Sequence, residues 1–141
     1  MIRAHTAMHV LKGAVAEVLG QRKFTFSSRG VLRFEADRPV SPQEVSRLET
    51  SANSKVQEDA EVLEFEMDRG EAEGHFGKGI FDLAPSSSPT GVLRVARIPD
   101  WEASCCSSRH LESTGSIGVI KVDGAKYDPA KKEAELTFHI V

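Results

Sequence analysis

The chain has 141 residues and a mass of 15.4 kDa, and 40% of its residues are hydrophobic. That size and apolar content are typical of one ordinary globular domain, so we predict a single domain over residues 1–141. No run approaches the roughly 20 apolar residues of a membrane span, and the residues before the first helical pattern are too few for a signal peptide. We therefore expect no membrane-spanning helix and no membrane partner, and a cytoplasmic location.

The net charge of −3 is distributed unevenly along the chain. Residues 1–38 carry seven Lys and Arg against three Asp and Glu, a balance of +4, whereas residues 41–84 carry four against eleven, a balance of −7. An acidic total argues against a general affinity for nucleic acid, and DNA is not an expected partner. The basic first segment is where a polyanion would bind, although a solvated acidic helix in the second segment would produce the same gradient.

Three segments carry the signals of helices. Apolar residues recur at helical spacing from His5 to Leu19, and Gly20 follows as a C-terminal stop. The segment Ser41–Glu44 combines an N-cap, a first-turn proline and a capping-box glutamate, so a second helix begins there. The segment Asp68–Glu71 predicts the cap of a short third helix, which ends in the glycine-rich stretch Phe76–Gly79.

Alternating apolar residues predict the strands. Lys23–Ser27 and Val31–Phe34 form a hairpin around a turn at Gly30. The other extended segments are 63–67, 91–98, 115–122 and 132–141, and the Pro- and Ser-rich run 84–91 is interpreted as a surface loop. These elements predict an α+β fold with a mixed or mainly antiparallel sheet packed by helices.

Two pairs of metal-binding residue types stand at opposite ends of the chain, each with a spacing of four: His5 with His9, and Cys106 with His110. On a helix, this spacing places both imidazoles of the first pair on one face. One such pair arises easily by chance, but the combination of two pairs predicts a shared site. Thiolate and imidazole together suit a single tetrahedral Zn²⁺ better than Mg²⁺ or Ca²⁺.

The local pattern leaves some of these assignments open. Cys105 competes with Cys106 as the thiolate ligand, because adjacent side chains point in opposite directions on an extended segment. His75 and His139 have no spaced partner and are interpreted as structural. Thr6 occupies the position that a glutamate takes in the helix motif of zinc proteases, which excludes that class.

Beyond the ligand pairs, an ordered set of motifs spans nearly the whole chain. The set comprises His5–Val15, Phe24–Phe26, Asn53, Glu71–Glu73, Phe76-Gly77, Asp100-Trp101 and Thr114–Gly118. It resembles the editing domain of alanyl-tRNA synthetase, and most closely its short freestanding relatives, the AlaX-type trans-editing proteins. The resemblance implies the fold of the alanyl- and threonyl-tRNA synthetase editing domains for this chain.

The resemblance also implies an activity and a site. The implied reaction, in trans, is hydrolysis of the ester that joins serine to alanine tRNA, with glycine as a second candidate substrate and Ala-tRNA(Ala) spared. By resemblance, His5, His9, Cys106 and His110 bind one zinc ion, which favours Cys106 over Cys105. A strand threonine of the family's side-chain pocket maps onto Thr25, whose hydroxyl would read that of serine. The alternative is that Thr25 is an ordinary β-branched strand residue.

The resemblance specifies the metal ligands more fully than it specifies the catalytic mechanism or the substrate. Four protein ligands fill a tetrahedron, whereas hydrolytic zinc sites keep one position open, and no residue is assigned as the general base. Ser107–Arg109 stand where synthetase editing domains usually carry two glycines. Two alternatives therefore stay open: deacylation of Ser-tRNA(Thr), as in the related threonyl-tRNA synthetase domain, and a noncatalytic zinc-stabilised module that binds tRNA. A monomer is expected.

Overall fold

The structure is a computed structural model that describes residues 2–28, 30–76, 92–106 and 109–141. Its elements in chain order are α1 (Ile2–Leu19), β1 (Phe24–Ser28), β2 (Val31–Glu35), α2 (Pro42–Gln57), β3 (Leu63–Asp68), α3 (Arg69–Phe76), β4 (Val92–Ile98), β5 (Glu102–Cys105), β6 (Ile120–Asp128) and β7 (Glu133–Ile140). The predicted loop 84–91 and the glycine-rich stretch from residue 77 lie outside the described residues. In the part that is described, no helix is both long and apolar enough to cross a lipid bilayer.

The strands form two separate sheets in which every described pair is antiparallel. One sheet has the order β1-β2-β7-β6, and the other has the order β3-β4-β5. The α+β class is therefore confirmed, but the strands divide between two sheets where the pattern predicted one. Alternation along a strand indicates which face is buried and does not identify the neighbouring strand, so the division could not be read from the pattern.

Helix α1 lies against both layers of the molecule. Every residue from Thr6 to Val15 is buried. Its apolar side joins α2 and the four-stranded sheet in the main core, which includes Val10, Leu11, Ala14, Leu48, Ala52, Leu32, Phe34, Leu136 and Phe138. Its other side contacts β5 of the three-stranded sheet. A helix buried on all sides is expected between two layers, and this position explains why polar residues of α1 are buried as well.

The two faces of the three-stranded sheet contact different helices. One face packs with α3 in a second, smaller core, which contains Ala72, Leu93, Val95 and Cys105. The opposite face carries Glu64, Ala96 and Ser104, which are register neighbours across the three strands. This more polar face is turned toward α1.

The helix boundaries predicted at Ser41, Gly20 and Asp68 are confirmed in atomic detail, whereas α1 begins at Ile2, before the predicted start at His5. The Ser41 hydroxyl accepts from the Glu44 amide at 3.1 Å, and the Glu44 carboxylate accepts from the Ser41 amide at 3.0 Å, which completes the capping box. Gly20 ends α1 with a φ of 87°, in the left-handed region that glycine tolerates best. The Asp68 carboxylate accepts from the Gly70 amide at 2.9 Å and caps α3.

The predicted strand over 115–122 is wrong in its first half. A single 3-10 turn begins at Thr114, and β6 begins only at Ile120. The buried Thr114 hydroxyl accepts from the Ala60 amide at 2.9 Å and donates to the Lys55 carbonyl at 2.7 Å. These bonds hold the segment against the end of α2, and side-chain-to-backbone bonds of this kind compete with extended structure.

Trp101 fixes the β4–β5 connection onto α1. Its indole Nε1 donates to the carbonyl of Val10 at 2.9 Å, and a Cβ atom at Gly13 would overlap the indole ring. On α2, the Lys55 ammonium lies 4.7 Å from the centroid of the same ring. The missing side chain at Gly13 therefore allows the close approach of α1 and β5.

We expect Gly13→Ala to destabilise the protein by about 1–3 kcal/mol, because the added methyl group must displace the Trp101 ring. Gly74→Ala is the matched control, since no described atom lies within 4 Å of a Cβ at that position in α3. The control should be neutral or stabilising by up to about 1 kcal/mol. Urea unfolding of both variants measures the difference, and equal stabilities would contradict the packing of Trp101 on Gly13.

Candidate metal centre

One side of α1 carries three polar residues in a line. His5, His9 and Lys12 follow one another at spacings of four and three, which places them on the same face of the helix. His9 and Lys12 are almost fully buried, at 2% and 3% exposure, whereas His5 is half-buried. This line faces the three-stranded sheet.

Alternation along β5 presents a matching set of polar groups to the helix. Glu102, Ser104 and Cys106 point to one face at a spacing of two, and Cys105 points to the other. The Cys106 Sγ lies 2.8 Å from the Nε2 of His5. Cys105 lies in the core beneath α3, where burial raises the pKa of its thiol. The structure thus places Cys106, and not Cys105, beside the histidines.

His5, His9, Cys106 and His110 converge on one point. One potential ligand atom from each lies within 4.8 Å of all the others. The three imidazole rings are separated by 4.7 to 5.2 Å between centroids. The four residues of the two sequence pairs are therefore brought together in a cluster that could hold a metal ion.

The hydrogen bonding of the cluster fits a metal ion. The Nε2 of His9 and both ring nitrogens of His110 are buried and have no hydrogen-bond partner among the described residues. Leaving such atoms unpaired costs roughly 1–3 kcal/mol each. A cation bound by one lone pair from each ring would remove that cost at the two ligating nitrogens, and imidazole with thiolate is a donor set that transition metals prefer.

The His9 ring is oriented by a buried carboxylate. The Nδ1 of His9 lies 2.9 Å from the Glu102 carboxylate and 3.1 Å from the Ser104 hydroxyl, and the Lys12 ammonium lies 3.2 Å from the other Glu102 oxygen. When a cation displaces the proton on Nε2, the proton that Glu102 holds on Nδ1 leaves the Nε2 lone pair facing the cluster. A carboxylate–histidine pair of this type is the usual outer support of a metal ligand.

The pKa shifts of this pair reflect the same contacts. Burial would raise the pKa of Glu102, but the charges of His9 and Lys12 and the hydrogen bonds outweigh burial and lower it to about 2. Burial would also lower the pKa of His9, but the Glu102 carboxylate raises it to about 9. Glu102 therefore stays ionised at neutral pH.

His110 is held by two residues on different elements. The backbone amide of His110 donates to Glu64 at 2.9 Å, and the amide of Leu111 donates to the Thr6 hydroxyl at 3.0 Å. The Nδ1 of His110 lies 3.4 Å from Glu64, whose carboxylate also pairs with Arg94. Thr6, next to the first ligand, thus positions the last ligand through the backbone.

The sequence patterns missed Lys12, Glu102 and Ser104. Each of these residues has a spacing that indicates its position. Lys12 lies about one helical turn after His9 on the same face of α1, and Glu102 and Ser104 precede Cys106 at intervals of two residues. The spacing of Glu102 and Ser104 could not be interpreted because β5 was not predicted. This strand has only four residues, and their types do not favour strands.

The structure does not bring Thr25 to the cluster. Its side chain is exposed, and its hydroxyl donates to Glu133 at 2.8 Å on the outer face of the four-stranded sheet, opposite the face that α1 covers. The neighbouring Phe24 is the residue that points inward. The role of Thr25 in substrate selection stays a prediction.

The other two histidines lie apart from the metal centre. The exposed His139 pairs with Asp123 at 2.8 Å on the surface of β6 and β7. The exposed His75 lies near the end of α3, at the rim of a cleft.

We expect Glu102→Gln to weaken Zn²⁺ binding by about 10- to 100-fold, because the amide keeps the shape but loses the charge that supports His9. Glu133→Gln, on the outer sheet face, is the matched control and should leave the affinity unchanged. Competition with a chromophoric chelator measures both affinities. Equal affinities in the two variants would show that Glu102 does not support the ligand.

Comparison with known proteins connects this chain to one group of enzymes. It is 33% identical over 129 residues to the alanine–tRNA ligase of Thermofilum pendens, a match that covers 88% of this chain and 14% of the ligase. The alanine–tRNA ligase of Pyrococcus abyssi is 34% identical over 126 residues, covering 86% and 14%. For the ligase of Staphylothermus marinus, the identity is 31% over 127 residues, again covering 86% and 14%.

No protein-family model matches the chain. The chain spans about 14% of the length of these ligases, so the match concerns one segment of each enzyme. The identity extends over nearly all of this chain and agrees with the resemblance found in its motifs. The chain therefore belongs to the family of alanyl-tRNA synthetases, as a relative of one segment of these enzymes.

Proposed function

We propose that this protein is a zinc-dependent hydrolase that removes serine from mischarged alanine tRNA and spares Ala-tRNA(Ala), in the cytoplasm. The observation that carries the proposal is the convergence of His5, His9, Cys106 and His110 in a chain related to alanine–tRNA ligases. A pocket shaped for alanine rejects one additional hydroxyl poorly, so a separate hydrolytic site is needed to correct the error.

The chemistry follows from the donor set. Zinc held by these residues would supply Lewis acidity toward an ester carbonyl once it gained a fifth position or released one protein ligand. His5 and Cys106 are half-buried, whereas His9 and His110 are buried, so the substrate ester would approach from the side of His5 and Cys106. Glu102 keeps His9 in its ligating orientation.

No general base is assigned. Glu102 is the nearest buried carboxylate on β5, but it is already bonded to His9 and paired with Lys12. A carboxylate that is held at a pKa of about 2 is a weak base. Glu102 is therefore a positioning residue in this proposal.

Incubation of zinc-quantified protein with serine- and alanine-charged alanine tRNA tests the proposal. We expect fast release of serine and slow release of alanine, and we expect His9→Ala to reduce both zinc content and serine release to background. The matched control is His139→Ala, which removes an exposed histidine outside the cluster. Absence of release by folded, zinc-loaded protein would contradict the proposal, and glycine-charged alanine tRNA and serine-charged threonine tRNA in parallel define the substrate range.

The same assay tests Thr25, which we propose as the reader of the serine hydroxyl on the resemblance alone. Thr25→Val keeps the β-branched shape and removes the hydroxyl, so the ratio of serine to alanine release should fall by roughly 3- to 10-fold, the value of one hydrogen bond. Thr137→Val, on the neighbouring part of the sheet, is the control. An unchanged ratio would show that the serine hydroxyl is read elsewhere.

The filled ligand shell favours a second candidate, a noncatalytic zinc-stabilised module that binds tRNA. Four protein ligands are typical of structural zinc sites. In that case, chelation would unfold the protein, tRNA would bind, and no charged tRNA would be hydrolysed.

A further inference from the structure

One ring nitrogen of His110 needs a partner other than the metal ion. Both nitrogens of this ring are buried and have no hydrogen-bond partner among the described residues. A metal ion takes the lone pair of one nitrogen, which leaves the other nitrogen as an N–H donor. Because an unpaired buried N–H is costly, we expect the protein to supply an acceptor beside the ring.

The Glu64 carboxylate lies at the Nδ1 side of this ring. One Glu64 oxygen is 3.4 Å from the Nδ1 of His110, and the same oxygen accepts from the His110 backbone amide at 2.9 Å. A carboxylate oxygen has two lone pairs, so it can accept from both donors of one residue. This arrangement favours the proton on Nδ1 and leaves the Nε2 lone pair for the metal ion.

Arg94 connects Glu64 to the other ligand of the second pair. Its guanidinium pairs with the second Glu64 oxygen, and its backbone carbonyl accepts from the Cys106 amide at 3.0 Å. Arg94 belongs to β4, the central strand of the three-stranded sheet, and Glu64 belongs to the neighbouring β3. Cys106 and His110 are therefore both connected to one residue of the central strand.

We propose that Glu64, held by Arg94, is a positioning residue that keeps the proton of the His110 ring on Nδ1 and so directs Nε2 to the metal ion. The inference rests on the proposed function, because it requires the metal ion of that proposal. Glu64 on β3 would support His110 as Glu102 on β5 supports His9, so the two edge strands of one sheet would each orient a ligand.

Zinc affinity, measured by competition with a chromophoric chelator, tests the Glu64 charge. We expect Glu64→Gln to weaken Zn²⁺ binding by about 10- to 100-fold, the usual effect of altering an outer support of a ligand. Glu66→Gln is the matched control, because it removes the same charge two residues along β3, directly across from Arg94. The control should bind zinc as the native protein does, and equal affinities of the two variants would overturn the inference.

Urea unfolding of the metal-free variants separates positioning from folding. The Glu64 and Arg94 side chains are 23% and 45% exposed, and an ion pair at this exposure contributes little to stability. We therefore expect the unfolding midpoints of Glu64→Gln and Glu66→Gln to lie close to that of the native protein. A much lower midpoint for Glu64→Gln alone would assign its effect to folding and overturn the positioning role.

A double variant tests whether Arg94 acts through Glu64. Arg94→Gln keeps the backbone contact to Cys106 and removes the charge beside Glu64, so it should weaken zinc binding less than Glu64→Gln does. Combined with Glu64→Gln, it should cause no further loss. Additive losses would show that Arg94 acts on the site by another route and would overturn that part of the inference.

Two-bond ¹H–¹⁵N spectra of zinc-loaded native protein test the inference without a substitution. We expect coordination of His110 through Nε2, with a slowly exchanging proton on Nδ1. Coordination through Nδ1 would overturn the inference and keep the hydrolase proposal. Coordination through Nε2 in a protein that hydrolyses no charged tRNA would support the role of Glu64 and reject the hydrolase. A native protein that binds no zinc would reject both proposals.

Discussion

The buried bond between His9 on α1 and Glu102 on β5 is the interaction on which the candidate metal centre depends. Both side chains are almost fully removed from solvent, and each would be costly to bury alone. Paired with each other and with Lys12, they hold the polar side of α1 against the three-stranded sheet. This contact brings β5 close to α1. Cys106 follows Ser104 by two residues and points to the same face, so its Sγ lies next to His5.

The two sides of helix α1 lie in different environments. Its apolar side completes the main core, where burial of aliphatic side chains supplies most of the stabilisation. Its polar side faces a sheet that has a small core of its own on the far face. Because His9 and His110 present unpaired nitrogens at this junction, a bound metal ion would stabilise the packing of the two layers as well as the site.

The parts of this structure that could be predicted are those determined by neighbouring residues in the chain. The Ser41 capping box, the Gly20 stop and the two ligand pairs each depend on a spacing of a few residues, and each is found in the structure. The choice between Cys105 and Cys106 required the direction of β5, a strand too short to be recognised. The local pattern therefore predicted the four residues that converge in the cluster but not Lys12, Glu102 and Ser104, which surround His9.

The orientation of Phe26 shows a second limit. Alternation places Phe26 on the same face as the buried Phe24, but Phe26 is exposed, because the register of β1 and β2 shifts between these two residues. The sequence pattern gives no information about such a shift. The division of the strands into two sheets was hidden for a related reason, since it depends on contacts between segments far apart in sequence.

The most direct test of the central claim is the zinc K-edge X-ray absorption spectrum of protein loaded with one Zn²⁺. The structure predicts one sulfur scatterer at about 2.3 Å, from Cys106, and three imidazole nitrogens at about 2.0–2.1 Å. Two sulfur scatterers, or a shell of oxygen atoms without sulfur, would contradict the assignment of His5, His9, Cys106 and His110 as the metal site.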